Sequence, residues 1–205
     1  MDARTETGAP SLTPDDVELY AQTQAAELRE DFFLYRQRIR PQMLQNWWTL
    51  EIADALQQFY DDLVAGKRPR LAIGAPPQHG KSLAAEDFIA WVSGRNPELK
   101  TIFASYSADL GVRTNLSLQR TFMHPAYRAI FPNMDVGQQR GWACNTELIE
   151  FPHFSGSFRN TTIEGAINGM ALDLGVIDDP VKGRAEASSP IARARAWNWF
   201  TDDWG

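Results

Sequence analysis

The sequence predicts an α/β fold, a three-layer α/β/α sandwich with a mainly parallel sheet, preceded by N-terminal helices. Three observations predict it. Apolar runs of strand length at residues 71–75, 101–105 and 172–177 alternate with stretches of helical periodicity. Such alternation gives parallel strands whose crossover helices cover both sheet faces. The first run leads straight into Gly80-Lys81-Ser82, and the third ends in Asp178-Asp179. Chemistry-bearing groups therefore emerge at the C-terminal ends of strands, where open α/β sheets bind ligands. At 205 residues the chain is long enough to bury one core of this kind.

Each element has its own signal. Residues 1–13 read as a frayed lead-in. Thr13-Pro14-Asp15-Asp16 starts a helix, with a capping hydroxyl, an early proline and acids near the positive dipole end. Val17, Ala21, Ala25, Leu28 and Phe32 mark one face of it. A second helix begins after Pro41, with Trp48, Ile52, Ala55, Leu56, Phe59 and Leu63 as its apolar face and Gly66 as its stop. Residues 1–66 thus form a helical segment packing on a core made by residues 67–205. Within that core, a helix over 82–92 turns Ala85, Phe88, Ile89 and Val92 inward, and Gly94 and Pro97 end it. Another helix starts at Asp109. Residues 146–165 suggest a more exposed hairpin, with its turn near 154–156.

The phosphate chemistry is carried by residues 71–82, LAIGAPPQHGKS. Gly80-Lys81-Ser82 is the GK[ST] end of a P-loop, which makes the predicted fold a P-loop NTPase. Gly80 lets the backbone approach a phosphate, Lys81 supplies charge for β- and γ-phosphates, and the Ser82 hydroxyl suits Mg²⁺. Pro77, Gln78 and His79 complete the candidate nucleotide-binding loop. The spacing GxxxxGK[ST] puts its first glycine at Ala75, so the motif is imperfect; Gly74 falls one residue early, and Pro76 and Pro77 stiffen the turn. Asp178 suits the second Mg²⁺ position, and Asp179 suits the orientation of an attacking water. The same Asp-Asp-Pro also suits a capped strand exit.

Composition narrows the class. The net charge of −6 is unlike that of a static DNA-coating protein, so any contact with nucleic acid is expected to be local or transient. No apolar run reaches the ~18 residues of a membrane helix. The opening MDARTETGAPS lacks a signal-peptide layout. Cys144 is the sole cysteine, and His79, His124 and His153 show no paired metal-ligand spacing.

Several motifs in order resemble the large terminase subunit of tailed bacteriophages. Residues 75–82, APPQHGKS, are similar to that family's PPRHGKS loop. Residues 103–110, FASYSADL, are similar to its SYS…L segment, and 129–133, AIFPN, to its iFP landmark. Gly165 through Leu174, then Asp178-Asp179-Pro180-Val181-Lys182 and Glu186-Ala187-Ser188, match its G..tGr..d…DDPvK…eA.S block. Trp47-Trp48…Leu56…Gly66 fits the segment before its loop. The resemblance runs from about residue 30 onward.

The resemblance implies an ATP- and Mg²⁺-dependent motor that translocates double-stranded viral DNA into a procapsid in the cytoplasm of the infected bacterial host. Its implied partners are the small terminase subunit and the portal protein, with a homo-oligomeric ring when assembled and no membrane. Residues 67–205 would be the ATPase core, cut short. The family's nuclease domain is expected to be absent, and the isolated chain is expected to be monomeric and slow. Lys81, Asp179 and Glu186 take the catalytic roles, and Ser82 and Asp178 hold the metal.

The chain departs from the pattern at Gln78, in place of a basic residue, and at Met170, in place of a candidate arginine finger. It also departs at Asp179, in place of glutamate, where Glu186 could reach in instead. Arg140, Arg159 and Arg184 are the nearest arginine substitutes. Trp47 and Trp48 read either as core or as stacking on adenine, with Gln42 or Gln45 reading its edge. Ser105, Tyr106 and Arg113 read either as a nucleic-acid contact or as a capped helix start. Trp197, Trp199 and Trp204 read as core residues of a helix cut short, either still buried or left exposed by the cut. A helicase-like DNA-stimulated ATPase and a nucleotide-binding assembly module without hydrolysis are the alternatives.

Overall fold

A computed structural model of the chain describes residues 13–137, 140–165, 167 and 169–203, and of Arg184 and Asp203 only the backbone. Helix α1 (Pro14–Glu30) begins as its sequence dictates. The Thr13 hydroxyl accepts from the Asp16 N–H, and the Asp16 carboxylate accepts from the Thr13 N–H. The predicted stripe through Phe32 does not survive as one helix. Asp31 leaves helical geometry and caps a second helix, α2 (Phe32–Ile39), by accepting from the Leu34 N–H. Val17 is consequently exposed while Ala25 and Phe32 are buried. A short carboxylate that competes for backbone N–H groups is the physical reason for the break.

Helix α3 (Trp47–Val64) is fixed at both ends. Asn46 and Thr49 form a reciprocal cap. At the other end Gly66 sits at φ +77°, with Gly66 N–H on the Leu63 carbonyl and Lys67 N–H on the Asp62 carbonyl. Its apolar face follows the sequence reading, with Ile52 and Leu56 buried.

Residues 71–75 form no strand, which corrects the expectation. They run between Pro69 and Pro76-Pro77, which have no N–H to donate to a ladder. Ile73 packs against the core through its side chain. A cavity of about 150 Å³ has Leu71 and Ile73 together with Leu174 and Val176 of the sheet among its walls.

Helix α4 (Lys81–Arg95) follows, buried nearly all round from Asp87 to Ser93. Gly94 is inside this helix rather than its stop. A Cβ there would meet the Phe131 ring at 2.5 Å, so the glycine serves close packing.

The remaining elements are β1 (Lys100–Ser105), α5 (Ala108–Met123), α6 (Pro125–Ile130), β2 (Leu148–Glu150), β3 (Ser157–Thr162), β4 (Leu174–Asp178), α7 (Gly183–Ser188) and α8 (Pro190–Asp203). They make a mixed α/β fold with a four-stranded sheet ordered β2-β3-β1-β4. β1 is parallel to both β3 and β4, and only β2 is antiparallel. The expected hairpin exists, but its second strand is interior rather than exposed. β3 lies between β2 and β1, with Phe158 fully buried.

The two sheet faces carry separate cores. Phe103, Leu174 and Val176 pack with the aromatic cluster of α2–α6, including Phe32, Tyr35, Phe88, Trp91 and Tyr127. Ile102, Ala104 and Ile177 pack on the opposite face with Trp199 of α8. Trp199 is therefore a core residue, whereas Trp197 is 63% exposed, the two outcomes between which the sequence left these tryptophans. Trp204 and residues 1–12 lie outside the described residues. Among the described residues, no helix is long and apolar enough to cross a membrane.

Candidate functional site

The loop before α4 is shaped by two left-handed residues. Gln78 has φ +65° and Gly80 φ +77°. Only the second is conformationally cheap; a side chain at Gln78 costs about 1 kcal/mol in this region. Gly80 is the N-cap of α4 and brings no side-chain cap. The N–H groups of the first helical turn are thereby left without an intrahelical or capping acceptor, the arrangement that receives anions. Outside the loop, the Trp48 indole N–H donates to the His79 carbonyl at 2.8 Å, and the His79 Nδ1 lies 3.0 Å from the Pro77 carbonyl.

The sheet brings the acids to this loop. Register places Ser105, Thr162 and Asp178 level at the C-terminal edge of β1, β3 and β4. Asp179 follows with φ +46°, and its carbonyl accepts from the Tyr106 N–H at 3.1 Å. The Lys81 ammonium then lies 3.2 Å from Asp178 Oδ1 and 3.3 Å from Asp179 Oδ1. Burial pushes this ammonium down. The attraction and hydrogen bonds of the two carboxylates outweigh that and hold it above the usual lysine value. Ser82 is exposed on the first turn of α4, one residue along. Among the described residues no group of three or more His, Cys, Asp or Glu forms a metal cage. Asp178, Asp179 and the Ser82 hydroxyl are nevertheless all hard oxygen donors, the set that suits Mg²⁺ when water and phosphate complete the shell.

Glu186 does not join this group. Its carboxylate accepts from the Lys182 N–H at 2.8 Å, closing the start of α7, because a short acidic side chain is drawn to the free N–H groups of its own helix. None of the arginine candidates is seen in contact with the acids. Arg140 is exposed in a loop. Arg159 is mid-strand, level with Ile102 and Leu148, and three residues short of the strand end is about 10 Å. The Arg184 side chain is outside what is described, and Met170 is 40% exposed. Ser107 caps the start of α5, its Oγ accepting from the Leu110 N–H, and the Ser105 Oγ donates to the Ser107 carbonyl. Arg113 is exposed on that helix.

A second cavity, about 290 Å³, lies on the other side of the loop. Gln78, His79, Gly80, Asn46, Trp48 and Arg36 are among its walls. Gln42 and Gln45 are exposed and are not among them. Arg36 is the residue that sequence reasoning missed. It is 2% exposed, its Nε donates to Asp87 at 3.2 Å, and its Nη1 has no hydrogen-bond partner among the described residues. Arg40 donates to the other oxygen of Asp87 at 3.0 Å. The available signal was Asp87 itself, a carboxylate in the middle of an apolar helix, which demands buried cations. Trp47, beside it in sequence to Trp48, is 76% exposed and meets Trp48 edge to face.

No protein-family model matches the chain, and no curated protein matches it at a significant level.

Proposed function

We propose that this chain is a P-loop NTPase of the three-layer α/β/α kind that hydrolyses ATP with Mg²⁺, the motor domain of a phage large terminase subunit. On this reading residues 67–205 belong to the ATPase core and the helices before residue 67 pack on it. The motor would drive double-stranded viral DNA into a procapsid in the cytoplasm of the infected host. Its partners would be the small terminase subunit, the portal protein and further copies of itself in a ring. The observation that carries the reading is the meeting of Lys81 with Asp178 and Asp179 at the ends of a loop and a strand.

The roles follow from charge and donor type. Free N–H groups of the loop and of the first turn of α4 receive the phosphates. Lys81 exchanges its two carboxylates for the β- and γ-phosphates. Ser82 and Asp178 hold Mg²⁺, which when bound neutralises phosphate charge. Asp179 orients the attacking water, a role Glu186 cannot take while it caps α7. The cavity walled by Trp48 and Arg36 adjoins the loop and would take the nucleotide base.

Two observations favour a second reading, a nucleotide-binding assembly module without hydrolysis. Glu186 is engaged elsewhere and Met170 occupies the place of the arginine finger, a group worth ~10³–10⁵ in rate. Steady-state ATP turnover by the protein with and without DNA and procapsids separates the readings. Turnover that rises on procapsids supports the packaging motor. Stimulation by DNA alone supports the helicase-like alternative. Binding without turnover under any of these conditions supports the assembly module.

A further inference from the structure

The His79–Gly80 peptide is a weak point of the phosphate loop, and one side chain secures it. Because residue 80 is glycine, this peptide plane can turn over at low cost, since glycine accepts φ of either sign. A peptide bond is planar, and no cis bond is present here, so its carbonyl and N–H point in opposite directions. The His79 carbonyl accepts from the Trp48 indole N–H at 2.8 Å. The Gly80 N–H therefore faces away from Trp48. Its own carbonyl caps α4 by accepting from Ala84 N–H, but no protein acceptor takes the Gly80 N–H among the described residues. The indole is itself held in direction. It projects from the first turn of α3, where Asn46 and Thr49 cap each other at 3.0 Å, and Trp47 meets it edge to face at 6.1 Å.

We infer that Trp48 is a positioning residue for the phosphate loop, setting the His79–Gly80 peptide so that the Gly80 N–H is presented to the phosphates. The inference rests on the nucleotide reading of the site and gives Trp48 a role distinct from stacking on the base. Stacking would use the ring face; positioning uses the indole N–H.

The test compares Mg-ATP with Mg-tripolyphosphate, which has the phosphates but no base, by calorimetric titration of the full chain. Two variants remove the donor. Trp48→Phe keeps an aromatic ring, and 3-benzothienylalanine installed at position 48 keeps the indole shape with sulfur in place of the N–H. Both should weaken the two ligands by the same factor, about three- to tenfold, as expected for one neutral hydrogen bond. Unchanged far-ultraviolet circular dichroism shows that the fold persists. A loss confined to Mg-ATP would overturn the inference in favour of base stacking. Parent-like binding by the benzothienyl variant would overturn it in favour of packing alone. Lys81→Ala keeps the two levels apart. If it binds both ligands like the parent, the phosphate site itself is wrong; if it loses them while the Trp48 variants do not, only the inference fails.

Discussion

The Lys81 ammonium lies 3.2 Å from the Asp178 carboxylate, joining the first turn of α4 to the end of β4. Asp179, 98 residues from Lys81 in the chain, reaches the same ammonium at 3.3 Å. One cation thus faces two acids, a local charge of −1 that a phosphate alone would worsen. A divalent cation arriving with the phosphate reverses that imbalance. ATP binding should therefore depend strongly on Mg²⁺ in the parent and weakly in Asp178→Asn. Turnover of Asp178→Asn should fall by ~10²-fold or more. Titration of ATP at a series of Mg²⁺ concentrations checks the first point; an equally steep dependence in the variant would contradict it.

The Arg36–Asp87–Arg40 group supplies a stability prediction. Asp87 is 1% exposed and Arg36 2% exposed, and the carboxylate receives both guanidinium groups. Asp87→Asn leaves the buried Arg36 charge without its counter-ion and should cost about 3–5 kcal/mol. Replacing both partners, Arg36→Met with Asp87→Leu, should cost far less than the sum of the single changes. Urea unfolding of Asp87→Asn, of Arg36→Met and Asp87→Leu singly, and of the double variant gives the comparison, and additive losses would contradict a coupled pair.

Glu86 supplies the pH prediction. Burial raises its carboxyl above the usual 4.5, a hydrogen bond from Ser117 at 2.7 Å opposes that, and the negative charges of Asp87 and Asp178 add to the rise. A carboxyl raised in the fold binds its proton more tightly folded than unfolded. Stability contributed by Glu86 therefore grows as pH falls from the raised value toward 4.5, and at neutral pH its ionised form is a cost. Glu86→Gln keeps an oxygen to accept from Ser117. It should be more stable than the parent at neutral pH, with the advantage shrinking as pH falls through that window. Denaturation midpoints of the nucleotide-free protein between neutral pH and 4.5 measure this; a variant less stable than the parent throughout would contradict it.

Features set by neighbours in the chain were legible in the sequence. The Thr13 cap, the Gly66 stop, the buried strand at 101–105 and the acids ending β4 are all read from a few consecutive residues. Features set by a distant partner were not. Residues 71–75 have the composition of a strand, but a ladder needs a sheet edge within reach, and composition cannot say where that edge lies. Gly94 has the look of a helix stop, and only the Phe131 ring against it shows its packing role. At the site, the loop and the acid pair were readable by motif. The Trp48–His79 bond and the unpartnered Arg36 Nη1 were not, because each depends on how α2 and α3 dock against the loop. Glu186, named from the sequence as a group that could reach in, bonds instead to the nearby Lys182 N–H, a contact that only the turn into α7 makes visible.

The proposed nucleotide site is tested most directly by calorimetric titration of Mg-ATP into the parent and Lys81→Ala, with urea unfolding of each in parallel. Lys81 is one-third exposed and faces carboxylates rather than the core, so its removal should leave the unfolding midpoint within about 1 kcal/mol of the parent. Binding of Mg-ATP should be lost or greatly weakened. A variant that binds Mg-ATP like the parent, or one that unfolds outright, would contradict the account.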